Sequence, residues 1–177
     1  MPKTVTQKNL ASYIRDIPDF PKKGIIFKDI TTLLKDKTAF KKVIDLLAKK
    51  YKTAGVDYVV AVESRGFIFG APLAYKLGAG FILIRKKGKL PYKTKSVTYD
   101  LEYGTDTLEI HEDALKAGSK VLIVDDLLAT GGTIKAVVDL VKQQKVKVLG
   151  LAFVVELGFL NGRAKLKGLP VEALIKY

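Results

Sequence analysis

Two adjacent acids followed by a glycine turn mark the stretch of this sequence best suited to chemistry. In "VLIVDDLLATGGTIKA", residues 121–136, an apolar run leads into Asp125 and Asp126. Ala129, Thr130, Gly131, Gly132 and Thr133 then open a helical pattern. Neighbouring carboxylates at a strand end repel each other, so the pair implies a bound group that offsets the repulsion. Carboxylates accept hydrogen bonds from sugar hydroxyls or lie beside Mg²⁺. Glycines let the backbone wrap an anion closely, and a helix N-terminus adds N–H groups and partial positive charge. The hydroxyls of Thr130 and Thr133 can donate to phosphate oxygens. A ligand with a diol and a phosphate, such as a ribose 5-phosphate, would satisfy all of these groups together. Two rival phosphate patterns, G-x-x-x-x-G-K-[ST] and a G-x-G-x-x-G after a strand, do not occur.

The elements that must position these groups follow a regular rhythm. Phe40, Val43, Ile44, Leu47, Ala48 and Tyr51 lie on one face of a helix over 38–51. The short apolar runs 58–62, 81–84, 120–124 and 146–157 read as buried strands. Helices are expected over 67–77 and from about Gly132 to Gln144. Strands alternating with helices predict an α/β fold with a mostly parallel sheet covered on both faces. In such sheets the ligand crevice lies at the carboxyl ends of the strands, where Asp125 and Asp126 fall. Residues 85–107 are polar, basic and Tyr-rich, too long for an ordinary connection, and predict a lid or binding loop. The segment 1–34 lies outside the rhythm and predicts a small hood over the sheet edge.

"VLIVDDLLATGGT" resembles the phosphoribosyl pyrophosphate (PRPP) loop of type I phosphoribosyltransferases. "FPKKGIIFKDITTLL", "VESRGFIFGAPLA", "LIRKKGKLP" and "LEYGTDTLEI" resemble the adenine-specific members of that family, in the same order and over nearly the whole chain. The resemblance implies the type I phosphoribosyltransferase fold in a single domain over 1–177, with a long flexible catalytic loop at about 85–107. It implies that Ala129, Thr130, Gly131, Gly132 and Thr133 hold the 5-phosphate and that Asp125 and Asp126 face the ribose hydroxyls. Glu63, Ser64 and Arg65 would form the pyrophosphate loop, with a non-proline cis peptide at Glu63–Ser64. Arg85, Lys86 and Lys89 would add positive charge there, partly across a dimer interface.

By the same resemblance, adenine would sit under the hood. Backbone groups around Ile26 and Lys28 would read its edge, Phe27 would stack on it, and Leu127 would line its site. Family members commonly carry Arg where this chain has Lys28, and Lys lacks the planar fork of Arg. The hypoxanthine-guanine relatives place an acid/base Asp at the position of Ala129. Here the candidate is Glu102, with Tyr103 beside it on the loop. The implied reaction joins adenine to PRPP, giving AMP and pyrophosphate, with Mg²⁺ held mainly by PRPP and a homodimer as the assembly. His111, the one histidine, reads as structural or surface.

Composition sets the outer bounds. A length of 177 residues fits one domain with a sizeable core. No cysteine occurs, which excludes disulfides and thiolate metal sites. No apolar run approaches the ~20 residues of a membrane helix, and the first residues lack a signal-peptide core. A cytoplasmic enzyme with no membrane partner is expected. The net charge of +13 is mostly lysine, spread along the chain without a basic arm, so it reads as a solvated surface with no nucleic-acid partner. A PRPP-sensing DNA-binding regulator and an enzyme for another base such as xanthine are the alternatives.

Overall fold

A computed structural model describes residues 4–100 and 104–177. A 3₁₀ segment, Gln7–Tyr13, precedes a two-stranded antiparallel ribbon of β1 (Arg15–Pro18) and β2 (Ile26–Asp29). There follow α1 (Thr31–Lys35), α2 (Lys37–Tyr51), β3 (Tyr58–Val62), α3 (Arg65–Leu77) and β4 (Gly80–Lys86). Next come β5 (Thr94–Asp100), β6 (Thr105–His111), β7 (Lys120–Leu128) and α4 (Gly132–Lys142). The order ends with β8 (Lys147–Glu156) and β9 (Val171–Lys176). The main sheet runs β5-β6-β4-β3-β7-β8-β9. Its β4-β3-β7-β8-β9 portion is parallel, and the β5 and β6 pairings are antiparallel. The chain is therefore the α/β protein with a mostly parallel sheet that the alternating pattern predicts.

Strand alternation sends consecutive residues to opposite layers. Val59, Leu122, Val124, Ala152 and Val154 pack in one core with α2 and α3. Val60, Val121, Ile123, Leu151 and Phe153 pack in the other with α4. Helix α2 starts where Asp36 accepts hydrogen bonds from the N–H groups of Thr38 and Ala39, each at 2.9 Å. Its buried face is Ala39, Val43, Ile44, Leu47, Ala48 and Tyr51. This is the predicted face, with Ala39 replacing the half-buried Phe40.

Helix α3 lies unusually close to the sheet because two glycines, one turn apart, face it. A methyl on Gly70 would meet Ala61 Cβ at 2.7 Å and Phe81 Cε2 at 2.8 Å. A methyl on Gly66 would meet Asp125 Oδ1 at 2.8 Å and Val124 O at 3.2 Å. The helix N-terminus thus rests on the strand end that carries the acids.

One region differs from the expectation. Residues 85–107 are not a plain loop: β4 runs on to Lys86, and β5 and β6 form a regular antiparallel hairpin from Thr94↔His111 to Asp100↔Thr105. The strand signal in "TKSVTYD" is an alternation of half-buried and exposed residues rather than an apolar run. Val97 and Tyr99 supply its inward side by packing against the α4 core. Glu102 and Tyr103 lie outside the described residues.

Gly70→Ala should destabilise the chain by about 1–3 kcal/mol, because the methyl overpacks the α3–β3 contact. Urea unfolding monitored by circular dichroism measures this, and an unchanged midpoint would remove the close-approach argument.

Candidate functional site: the carboxyl ends of β3 and β7

Strand β3 leads through α3 to β4 on one side of the sheet, and β7 leads through α4 to β8 on the other. Adjacent strands whose crossovers diverge create a switch point, where a crevice opens at their carboxyl ends. The β3–β7 pairing ends at Ala61↔Val124, whereas β7 continues beside β8 to Leu128↔Glu156. Asp125 and Asp126 therefore belong to the strand itself, in the stretch that outruns β3. The sequence places them just beyond it; the extension exists because β8 supplies a partner on the other side.

Asp126 is 4% exposed. Its backbone N–H donates to Asp125 Oδ1 at 2.8 Å. Arg65 Nε lies 2.9 Å from Asp126 Oδ2. That N–H is not aimed at the oxygen, which is buried without a hydrogen-bond donor among the described residues. The contact is thus an ion pair with acceptor capacity left over. Burial, and then the charge of Asp126, push the Asp125 carboxyl well above its ordinary value. Burial also raises Asp126, against the opposing pull of Arg65. Keeping both carboxylates ionised here costs energy, and a ligand or cation that shared the charge would relieve that cost.

The turn after β7 bends sharply at Gly131, which has φ +78° and directly precedes α4. No side chain caps this helix start. Its first N–H groups thus face the hollow lined by Asp125 and Leu127–Ile134, about 110 Å³ in volume. That volume suits a small anion, whereas sites for drug-sized ligands run to roughly 300–1,000 Å³. Thr133 Oγ1 donates to Tyr99 Oη at 3.4 Å, which ties the β5–β6 hairpin to the turn. A methyl on Gly132 would sit 3.9 Å from Lys165 Nζ, so a cation also flanks the helix start.

The predicted pyrophosphate residues gather around Glu63, whose peptide bond to Ser64 is cis. The Glu63 carboxylate accepts from Arg85 Nε at 3.3 Å, from Arg85 Nη2 at 3.1 Å and from Lys89 Nζ at 3.4 Å. It also accepts from the Lys86 backbone N–H at 2.5 Å. Burial raises this carboxyl, but the Lys86 N–H, Arg85 and Lys89 more than offset it, so it ionises below its ordinary value. Lys86 Nζ instead pairs with Asp106 at 3.0 Å. The Glu63 carboxylate is thus an anchor for cations.

Arg65 joins the two ends of the crevice. Its guanidinium lies 5.3 Å from the Phe27 ring centre while its Nε contacts Asp126. Phe27 is half-buried, with Phe20 edge-on at 5.2 Å. Ile26 is 56% exposed on the ribbon. Lys28 points elsewhere: its Nζ contacts Asp16 at 2.8 Å and covers the Tyr177 ring at 3.7 Å. Any role for Lys28 at a base is therefore a backbone role in this state. Leu127 packs on the α2–α3 core beside the hollow.

A phosphoribosyl transferase domain model matches residues 29–168, from the last residue of β2 to the turn before β9. The adenine phosphoribosyltransferase of Pelobacter propionicus is 60% identical over 96% of this chain and 99% of its own length. The crystal structure of the adenine phosphoribosyltransferase from Thermoanaerobacter pseudethanolicus has a TM-score of 0.94 at 55% identity, covering 97% of this chain and 100% of that one. This chain belongs to the adenine phosphoribosyltransferase family. The Saccharomyces cerevisiae member, 43% identical with a TM-score of 0.90, covers 95% of this chain and 97% of its own. It was solved with adenine and an imino-altritol bisphosphate.

Sequence reasoning missed Tyr99, Asp106, Gly162 and Tyr177, and the close packing that Gly66 allows. The Gly66–Gly70 spacing in "RGFIFG" was the one available signal, since glycines one turn apart on a helix suggest close packing.

Asp125→Asn should stabilise the free protein by on the order of 1 kcal/mol at neutral pH, because it removes a buried charge while keeping the Oδ1 acceptor. A raised carboxyl binds more protons folded than unfolded, so its destabilising effect grows as pH rises above the ordinary 3.8. The advantage of the variant should fade below that pH. Thermal melts from pH 3 to 8 test the sign, and a variant less stable than wild type at neutral pH would contradict it.

Proposed function

We propose that this chain transfers the 5-phosphoribosyl group of PRPP to adenine, giving AMP and pyrophosphate. One observation carries the residue assignment: Arg65 touches both Asp126 and Phe27, so diol acids, a leaving-group cation and an aromatic platform share one crevice. The Ala129–Thr133 turn holds the 5-phosphate on its N–H groups and hydroxyls. Asp125 and Asp126 accept from the ribose hydroxyls, Asp126 through its buried oxygen that has no donor among the described residues. Arg65, Arg85, Lys86 and Lys89 stabilise the departing pyrophosphate, exchanging their carboxylate partners for phosphate oxygens.

Adenine N9 attacks C1 from the face opposite the leaving group, as positive charge develops on the ring. Phe27 and the β2 backbone at Ile26 and Lys28 orient the base, with Leu127 beneath it. Position 129 carries Ala, which removes the acid/base group of the hypoxanthine-guanine relatives from this spot. Glu102, next to Tyr103 between β5 and β6, exchanges a proton with the base near N7. Closure of this hairpin would keep water from the cationic sugar.

Mg²⁺, carried mainly by the polyphosphate, neutralises charge on the leaving group. The buried oxygen of Asp126 that lacks a donor fits a cation or a diol equally well. The protein is read as a cytoplasmic homodimer. Ile68 and Tyr75, two turns apart on α3, remain 37% and 91% exposed, and a second copy would cover such a face.

Product formation should be confined to adenine when the protein is assayed with Mg²⁺, PRPP and a panel of adenine, hypoxanthine, guanine and xanthine. Comparable rates with another base would overturn the substrate, and salt-sensitive DNA binding without turnover would favour a regulator. Glu102→Gln should lower kcat by roughly 10²-fold or more with a smaller change in PRPP KM, the behaviour of a proton-transfer group. A variant at full speed would remove Glu102 from the mechanism.

A further inference from the structure

The segment after β8 forms the outer wall of the phosphate turn, and nothing in its sequence marks it. Strands β7 and β8 end side by side, with Leu157 N–H donating to Leu128 O at 2.9 Å. One chain then enters the turn at Ala129, and the other enters the 3₁₀ segments Gly158–Leu160 and Gly162–Leu166. These two irregular stretches touch backbone to backbone. A methyl on Gly162 would lie 2.2 Å from Ala129 O and 3.1 Å from Gly131 N. A methyl on Gly131 would lie 2.4 Å from Gly162 O. Neither glycine can acquire a Cβ without displacing the other strand of this contact, because the clashing atoms are backbone.

The wall is fastened independently of the turn. Glu156, 6% exposed, takes both prongs of Arg163, at 2.5 Å to Nε and 2.7 Å to Nη2. Arg163 Nη1 donates to Val171 O at 3.0 Å, reaching the edge of β9. The paired fork fixes both distance and angle, which a lysine would not do. Asn161, at φ 52°, turns the chain so that Gly162 faces the loop, and Leu166 anchors the far end in the α4 core.

We propose that Gly162, held by the Glu156–Arg163 pair, is a positioning residue that sets the shape of the Ala129–Gly132 turn and thereby the affinity for the 5-phosphate. The inference rests on that turn binding the phosphate. A phosphate held equally in the ground and transition states contributes uniform binding, so a distorted turn changes KM rather than kcat.

The test compares Gly162→Ala and Arg163→Lys with wild type by initial-rate kinetics and by calorimetric titration of ribose 5-phosphate. Gly168→Ala is the control: its φ is +81° with nothing within 4 Å, so it adds backbone strain near the same segment without touching the turn. Gly162→Ala should raise PRPP KM at least ~10-fold and weaken ribose 5-phosphate equally, with kcat and adenine KM within about twofold. Arg163→Lys should show the same split at about threefold, and it carries the test if Gly162→Ala fails to fold. An unchanged PRPP KM in both variants, or a rise that Gly168→Ala matches, would overturn the proposal. If Gly131→Ala also leaves ribose 5-phosphate binding intact, the phosphate assignment of the turn itself has failed.

Discussion

Two neighbouring carboxylates at the end of β7, Asp126 buried and Asp125 half-buried, are the constraint around which the crevice is built. Two such charges lose hydration and repel each other, and among the described residues only one cation, Arg65, pairs with them. The neighbouring structure accommodates that cost. Gly66 leaves room for the Asp125 carboxylate, the Asp126 N–H bonds to it, and α3 approaches closely because Gly70 packs flush on β3. A side chain at either glycine would push the helix off the strand end and carry Arg65 away from Asp126. The site therefore depends on a packing feature of the fold as much as on its charged residues.

The same balance extends along the crevice. Arg85 and Lys89 share the one carboxylate of Glu63, and Lys86 pairs with Asp106. Like charges brought together for a polyanion would otherwise repel one another in the free protein. Glu63 holds them in place while staying ionised, since its donors outweigh its burial. In the proposed reaction, binding a polyphosphate would exchange one set of ion pairs for another, which would limit raw affinity but preserve geometry. Preorganised positive charge of this kind favours a departing pyrophosphate without reorganisation during the reaction.

The hood and the chain's last residue meet across the fold. Asp16 and Tyr177 hold Lys28, and the Tyr177 backbone pairs with Glu156 and Gly158. This connects the ribbon bearing Phe27 to the strand that begins the wall behind the phosphate turn. The Lys28 side chain is thus accommodated by contacts facing away from Phe27. A compact ammonium fits over one aromatic ring and beside one carboxylate, where a planar fork would seek two parallel partners.

By itself the sequence determined the alternating layers, the glycine turn that follows two acids, and the family. Each of these is encoded locally: apolar runs define buried strands, helical spacing defines the covering faces, and the Asp-Asp and Thr-Gly-Gly-Thr groups lie within nine residues of one another. Strand β5 was poorly legible because Val97 and Tyr99 gain their buried side by packing against the α4 core, which leaves a weak alternation instead of an apolar run. Tertiary structure alone decided which charges meet, as with Glu63 and Arg85, 22 residues apart. It alone decided that Gly162 stands behind Gly131. Those contacts arise from where separate strand ends come to rest in space, and no local pattern of residue types carries that information.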